Sequence, residues 1–260
     1  MHRSQPGHGR SAALLCMLLP GFIGLSARAD GLQDFKQAIA RLNGQTPVKA
    51  LLDVKTWQRN GEGSDAQEHQ GQASATLEDT PRGMQLSLTK DILARAEAEK
   101  RAEAKDPKAA TPTLNALKEF DTVDVYPLLS ATGRLSRVLD EAVFKEEKAD
   151  TYNGKPARLL RFNYLLERLP EHDRKYVKKY DSTLDLWIGT DGVPLASRLT
   201  EKVSGRAFVV VSFESQSEAE YTYSLVGDRL VTVRATLHDK SSGAGEQSER
   251  RIVRTLQLQS

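Results

Sequence analysis

The chain has one cysteine in 260 residues, Cys16. That excludes a disulfide framework and a multi-cysteine zinc site. The formal net charge is only +2, so there is no basic excess of the kind on which nucleic-acid binding rests. A mean hydropathy of −0.49 excludes a multi-span membrane protein. Aromatic residues are sparse, at 6%, which leaves few rings for an aromatic-lined pocket. There is no Gly-x-Ser-x-Gly turn for a nucleophile. Gly61-Glu62-Gly63 and Gly243-Ala244-Gly245 lack the third glycine of a dinucleotide-binding loop.

The N-terminus carries the clearest signal. Arg3 and Arg10 precede an apolar stretch at 11–26, interrupted by Pro20 and Gly21, and Ala27-Arg28-Ala29 forms a small-x-small site before Asp30. This pattern predicts a signal peptide over 1–29 and a periplasmic protein. The apolar run is shorter than the ~20 residues needed to span a bilayer, so no transmembrane anchor is expected after processing. Leu15 before Cys16 is too large for lipoprotein cleavage, which places the cysteine inside the discarded segment. Taking Arg3, Arg10 and Arg28 from the 37 basic residues leaves them one short of the 35 acidic ones. A mature chain without cysteine must be stabilised by packing alone.

The mature chain reads as one domain, 30–260, of α+β class and mainly β. Asp30 is a helix N-cap, and Leu32, Phe35, Ala38, Ile39 and Leu42 recur at helical spacing up to Asn43-Gly44. Strands are expected at 48–59, 70–77 and 83–89. The Ala-, Glu-, Lys- and Arg-rich stretch 91–105 predicts an exposed helix within a charged helical insertion at about 91–112. A further helical region is expected over 114–144, broken near Pro127 and Gly133. From 146 onward the pattern is antiparallel β: Asn153-Gly154 is a strong hairpin turn, followed by strands at 159–166, 183–188, 193–203, 207–213, 221–226, 230–237 and 251–257. The reading totals nine or ten strands and two or three helices, joined as a meander.

Few residues invite chemistry. His69, His172 and His238 lie far apart in sequence and beside charged residues, so no metal site is expected. His172-Asp173 is half of a catalytic dyad without a nucleophile motif. Ser87-Leu88-Thr89-Lys90 has Ser-x-x-Lys spacing, but in a segment that reads as strand. Arg174, Lys175, Lys178 and Lys179, interleaved with Tyr176 and Tyr180, read as a solvated strand entry or loop, with contact to an anionic surface as the alternative. No catalytic residue and no cofactor is assigned, and the protein is expected not to be an enzyme.

Four segments carry a family resemblance: the helix Leu32-Gln33-Asp34-Phe35-Lys36-Gln37-Ala38-Ile39-Ala40-Arg41-Leu42, the strand Gln70-Gly71-Gln72-Ala73-Ser74-Ala75, the hairpin Tyr152-Asn153-Gly154-Lys155-Pro156, and Leu184-Asp185-Leu186-Trp187-Ile188-Gly189-Thr190-Asp191-Gly192-Val193-Pro194-Leu195. Their order resembles the periplasmic outer-membrane lipoprotein-carrier family (LolA, LolB and the sensor protein RseB). The resemblance implies an open antiparallel β half-barrel with helices covering its concave face, and an apolar cavity that accepts acyl chains.

Two functions lead the expectations, and a hydrolase, to be marked by a cleft with converging carboxylates or by His172 beside a serine, is the third. One is a non-enzymatic binding or carrier-like protein that holds a lipid or lipoprotein acyl chain, with Leu160, Phe162, Leu184, Leu186 and Ile188 as the ligand-binding face. The other is an interaction or structural protein of the cell envelope, with a filled core and no small ligand. In that case the same five residues are ordinary core, the usual fate of alternating apolar strand residues.

Overall fold

The computed structural model describes residues 30–207 and 211–259. The signal peptide read over 1–29 lies outside them. The chain begins with helix α1 (Gly31–Arg41), then β1 (Val48–Asn60), β2 (Gln67–Thr80) and β3 (Gly83–Ser87). Four helices follow: α2 (Lys90–Glu103), α3 (Pro112–Leu117), α4 (Thr122–Leu129) and α5 (Thr132–Glu141). The rest is β4 (Ala142–Tyr152), β5 (Lys155–Tyr164), a short helix α6 (Glu171–Arg174), β6 (Val177–Ile188), β7 (Pro194–Ala207), β8 (Val211–Val226), β9 (Arg229–Gly243) and β10 (Glu246–Leu258).

All ten strands form one antiparallel sheet in the order β3-β2-β1-β10-β9-β8-β7-β6-β5-β4. β3 and β4 are its two edges, so the sheet is not closed. β4 is a poor template for a further strand: Lys145, Glu146, Glu147, Lys148 and Asp150 charge it, and its register with β5 slips between Phe144 and Glu146.

Local chemistry explains the elements. The Asp30 side chain accepts from the Gln33 N–H at 3.1 Å and starts α1. Asn153 and Gly154 both take positive φ, 51° and 74°, and make the two-residue turn from β4 to β5. Phe35, Ala38 and Ile39 of α1 and Leu135 and Val138 of α5 pack with Leu160, Phe162, Leu184, Leu186 and Ile188 in one cluster. A second cluster joins Val125, Leu128 and Leu129 of α4 to Val48, Leu52, Val54, Leu77, Ile252 and Leu256. Helix α3 lies against β2 at Gly71, where an added Cβ would stand 2.7 Å from the Ala116 nitrogen. Glycine at that strand position permits the close approach.

Ion pairs tie the helices to the sheet. Glu147 of β4 accepts the Gly31 N–H at 2.9 Å, at the start of α1, and Arg158 of β5 pairs with Asp34 at 2.8 Å. Arg229 of β9 donates to the Leu129 carbonyl at 2.6 Å and pairs with the buried Asp79. Glu119, between α3 and α4, is buried between Arg250 and Arg254 of β10, with Arg254 at 2.8 Å.

Several boundaries differ from the sequence expectation. The breaks in the 114–144 region fall after Leu117 and Leu129, leaving Pro127 in the last turn of α4 and Gly133 inside α5. Pro127 removes one hydrogen-bond donor in a helix that ends two residues later. Residues 142–144 are strand, because Ala142, Val143 and Phe144 pair with Tyr164, Asn163 and Phe162. The strand expected at 207–213 instead spans the end of β7 and the start of β8, with 208–210 outside the described residues. Thr89 is not strand but the N-cap of α2, its hydroxyl accepting from the Ile92 N–H. The described residues form six α-helices, not two or three.

Two contrasting ion pairs give a stability test. Glu119→Ala leaves Arg254, 6% exposed, facing only Asp124 at 3.2 Å, and is expected to lower unfolding free energy by about 3 kcal/mol in urea titration. Arg198→Ala breaks an exposed pair with Glu220 and is expected to change stability by less than about 1 kcal/mol in the same titration.

Candidate functional site

Because antiparallel partners lie side by side, each register row across the sheet presents one face. On the face that carries the helices, one row runs Phe162, Leu184, Leu199, Ala219, Leu237, Ile252, Thr56. The next row on that face, two residues along every strand, runs Ser182, Glu201, Ser217, Asp239, Arg250, Gln58, His69. The following row is Tyr180, Val203, Ser215, Ser241, Ser248, Asn60, Gln67. The face therefore changes from apolar to polar in a single step on the five neighbouring strands β6 to β10. The step follows from the strand sequences: in β6, Leu186 and Leu184 give way to Ser182 and Tyr180, and in β9, Ala235 and Leu237 to Asp239 and Ser241.

The polar rows are knit together. Ser217 donates to Asp239 at 2.6 Å, and the Tyr180 hydroxyl donates to Glu201 at 2.8 Å. Burial is the main cause that pushes the Tyr180 phenol above its ordinary pKa, with the hydrogen bond to Glu201 adding to it and Ser182 opposing. Arg250 reaches from this row to Glu119, so one of its members also holds the α3–α4 connection.

At the same end of the sheet lies a groove of about 900 Å³. Its lining combines the row of Tyr180, Val203, Ser215, Ser241 and Ser248 with rows of the opposite parity, among them Asp181, Lys202, Gln216, Lys240, Glu249 and Arg59. Most of its lining residues are polar, with both signs of charge interleaved. Glu249 is held by His238 at 2.7 Å and Arg251 at 2.6 Å, and its pKa lies below the ordinary carboxylate value, chiefly through the hydrogen bond from His238. His238 is thus part of a surface charge cluster, whereas His172 is solvated next to Asp173.

A second polar feature sits where α5 crosses the sheet. The Arg134 guanidinium stacks 3.4 Å above the centre of the Tyr221 ring. It donates to the Tyr223 hydroxyl at 3.4 Å and to Thr232 at 3.3 Å, and Tyr223 shares a 2.7 Å hydrogen bond with Ser197. Arg168 stacks at 4.0 Å on Tyr164 and pairs with Glu141 at 3.2 Å.

Leu160, Phe162, Leu184, Leu186 and Ile188 come together, as their spacing predicts. Each is at most 4% exposed and packed with α1 and α5, and none lines the groove. Among the described residues, no group of three or more His, Cys, Asp or Glu side chains is placed to hold a metal ion. Neither the groove nor the Arg134 node was found from sequence. Both consist of residues scattered over many strands, and only the register unites them. Comparison with protein-family models, curated proteins and solved structures finds no match to this chain.

The raised tyrosine gives a pH test. The unfolded chain loses a phenolic proton near 10, before the folded Tyr180 does, so the folded state is favoured below that pH. This contribution is lost as pH rises from about 10 through the raised folded value. Stability followed by denaturant titration is expected to fall over that range in the wild-type protein, and less steeply in Tyr180→Phe.

Proposed function

We propose that this is a non-enzymatic interaction or binding protein of the cell envelope, with a filled core, that meets its partners through the hydrophilic half of its sheet. One observation carries the reading: the five apolar residues that would hold an acyl chain are packed with α1 and α5, while the open groove is lined mainly by charged and polar residues. A void large enough for an acyl chain would need apolar walls free of partners, and these walls already have them. The leader pattern over 1–29 supports an extracytoplasmic location, and the carrier-family resemblance supports reading the sheet as a half-barrel with the helices on its concave face. In this reading the charged helix α2 is a solvated addition, because Ile92 alone of its residues is buried.

Native mass spectrometry and lipid extraction of protein purified from the periplasm test it. The expected result is the mass of the unliganded mature chain and no binding of a fluorescent acyl probe. Co-purifying acyl species, or saturable binding of the acyl probe, would overturn the filled-core reading in favour of a carrier whose helices lift from the sheet.

A further inference from the structure

We propose that Asn153, at the tip of the β4–β5 hairpin, is a site of spontaneous deamidation, where water converts the side-chain amide into a carboxylate. The turn lies beyond the Ile188 end of β6, whereas the polar groove lies at its Tyr180 end. The inference therefore does not depend on the proposed binding function.

Three asparagines precede a glycine: Asn43, Asn60 and Asn153. In such a pair the glycine nitrogen can give its proton to solvent and attack the Asn Cγ, because glycine has no side chain to obstruct the approach. The N–Cγ bond forms, the Cγ–Nδ2 bond breaks, and ammonia leaves with a proton from solvent. The product is a five-membered succinimide ring. Water then opens the ring at one of its two carbonyls. Opening at Cγ gives aspartate. Opening at the main-chain carbonyl gives isoaspartate, in which the chain runs through the side-chain carbon. Nothing is oxidised or reduced, and water is the only co-reactant.

All three asparagines are exposed, so exposure does not distinguish them. Hydrogen bonding does. The Gly44 N–H donates to the Asp228 carbonyl at 3.0 Å, and the Asn43 side-chain oxygen accepts from Thr132 at 3.1 Å. The Gly61 N–H donates to the Gln247 carbonyl at 2.8 Å, and the Asn60 side-chain oxygen accepts from Ser248 at 3.0 Å and from Gln58 at 3.1 Å. In both pairs the attacking nitrogen and the amide it must reach are held. Among the described residues, neither the Gly154 N–H nor the Asn153 side chain has a hydrogen-bond partner. Space separates the three in the same way. A Cβ on Gly44 would strike the Asp228 carboxylate, and one on Gly61 would stand 3.4 Å from the Asp65 carbonyl oxygen. Around the same point on Gly154 there is nothing within 4 Å. The turn can also rearrange for the attack, because it closes onto β4, an edge strand with one neighbour. Such poorly supported ends open locally at low cost.

The test is incubation of the folded protein in mildly alkaline buffer made with heavy-oxygen water, followed by peptide mapping in a mass spectrometer. The amide-to-acid mass change, with heavy oxygen, is expected at Asn153 at least about tenfold faster than at Asn43 or Asn60, where hydrogen bonds must break first. In urea-unfolded protein the three are expected to react at similar rates, because that protection is gone. Isoelectric focusing of the folded protein is expected to show a more acidic species growing in wild type and not in Asn153→Asp. Aspartate tolerates the same left-handed turn conformation, and should this variant fail to fold, the wild-type peptide map decides alone. Asn43 or Asn60 reacting as fast as Asn153 in the folded protein overturns the inference. So does an Asn153 that reacts in urea but stays intact in the folded protein, because the turn then forbids the attack. An acidic species that grows equally in folded Asn153→Asp also overturns it, because the charge then arises elsewhere.

Discussion

The pairing of β1 with β10 is the constraint on which the structure depends. It runs antiparallel from Ala50 opposite Leu258 to Asn60 opposite Ser248, and joins strands from opposite ends of the described chain. Every other pairing in the sheet is between strands that follow one another in sequence. Without β1–β10 there would be a three-stranded piece and a seven-stranded meander, each with an exposed edge. With it, Val48, Leu52 and Val54 share a core with Ile252 and Leu256, and α4 has a surface to cover. Such long-range pairing is entropically slow to form, and the Arg229 and Arg254 ion pairs act on the same region, holding α4 and the α3–α4 connection to β9 and β10.

Helix packing and sheet polarity are two aspects of one pattern. The rows packed with α1, α4 and α5 are apolar, and the next row along the strands changes to Ser182, Glu201, Ser217 and Asp239. Among the described residues, buried charge is partnered charge: Arg229 with Asp79, and Glu119 between two arginines. A buried pair of this kind adds little net stability over an apolar replacement, but losing one partner is costly. Its effect is to give the helices one position on the sheet. Arg134, only half-buried, is held by a ring and by hydroxyls.

Much of the fold was legible in single strands and turns. The α1 cap at Asp30, the Asn153-Gly154 hairpin and the alternation through Leu184, Leu186 and Ile188 each depend on residues a few positions apart. The misplaced boundaries have local causes too. Pro127 reads as a breaker, but a proline close to a helix end removes a donor from a helix about to stop. Residues 142–144 read as the end of an apolar helix, yet Phe144 finds Phe162 across the sheet, with ring centroids 5.5 Å apart. The five apolar candidates were legible as one face, but periodicity describes a core wall and a ligand wall alike.

By itself the sequence determined the class, mainly antiparallel β, and which residues of each strand share a face, because side chains alternate along an extended backbone. It also carried the leader pattern and the excess of polar residues toward one end of the long strands. Only the tertiary structure decided which strands are neighbours, that β1 meets β10, and that the five apolar residues lie beneath α1 and α5. The same is true of the polar rows, the groove and the stacking of Arg134 on Tyr221. The reason is physical: these features are made by side chains brought into line from strands and helices far apart in the chain, and the register that aligns them exists only once the sheet has formed.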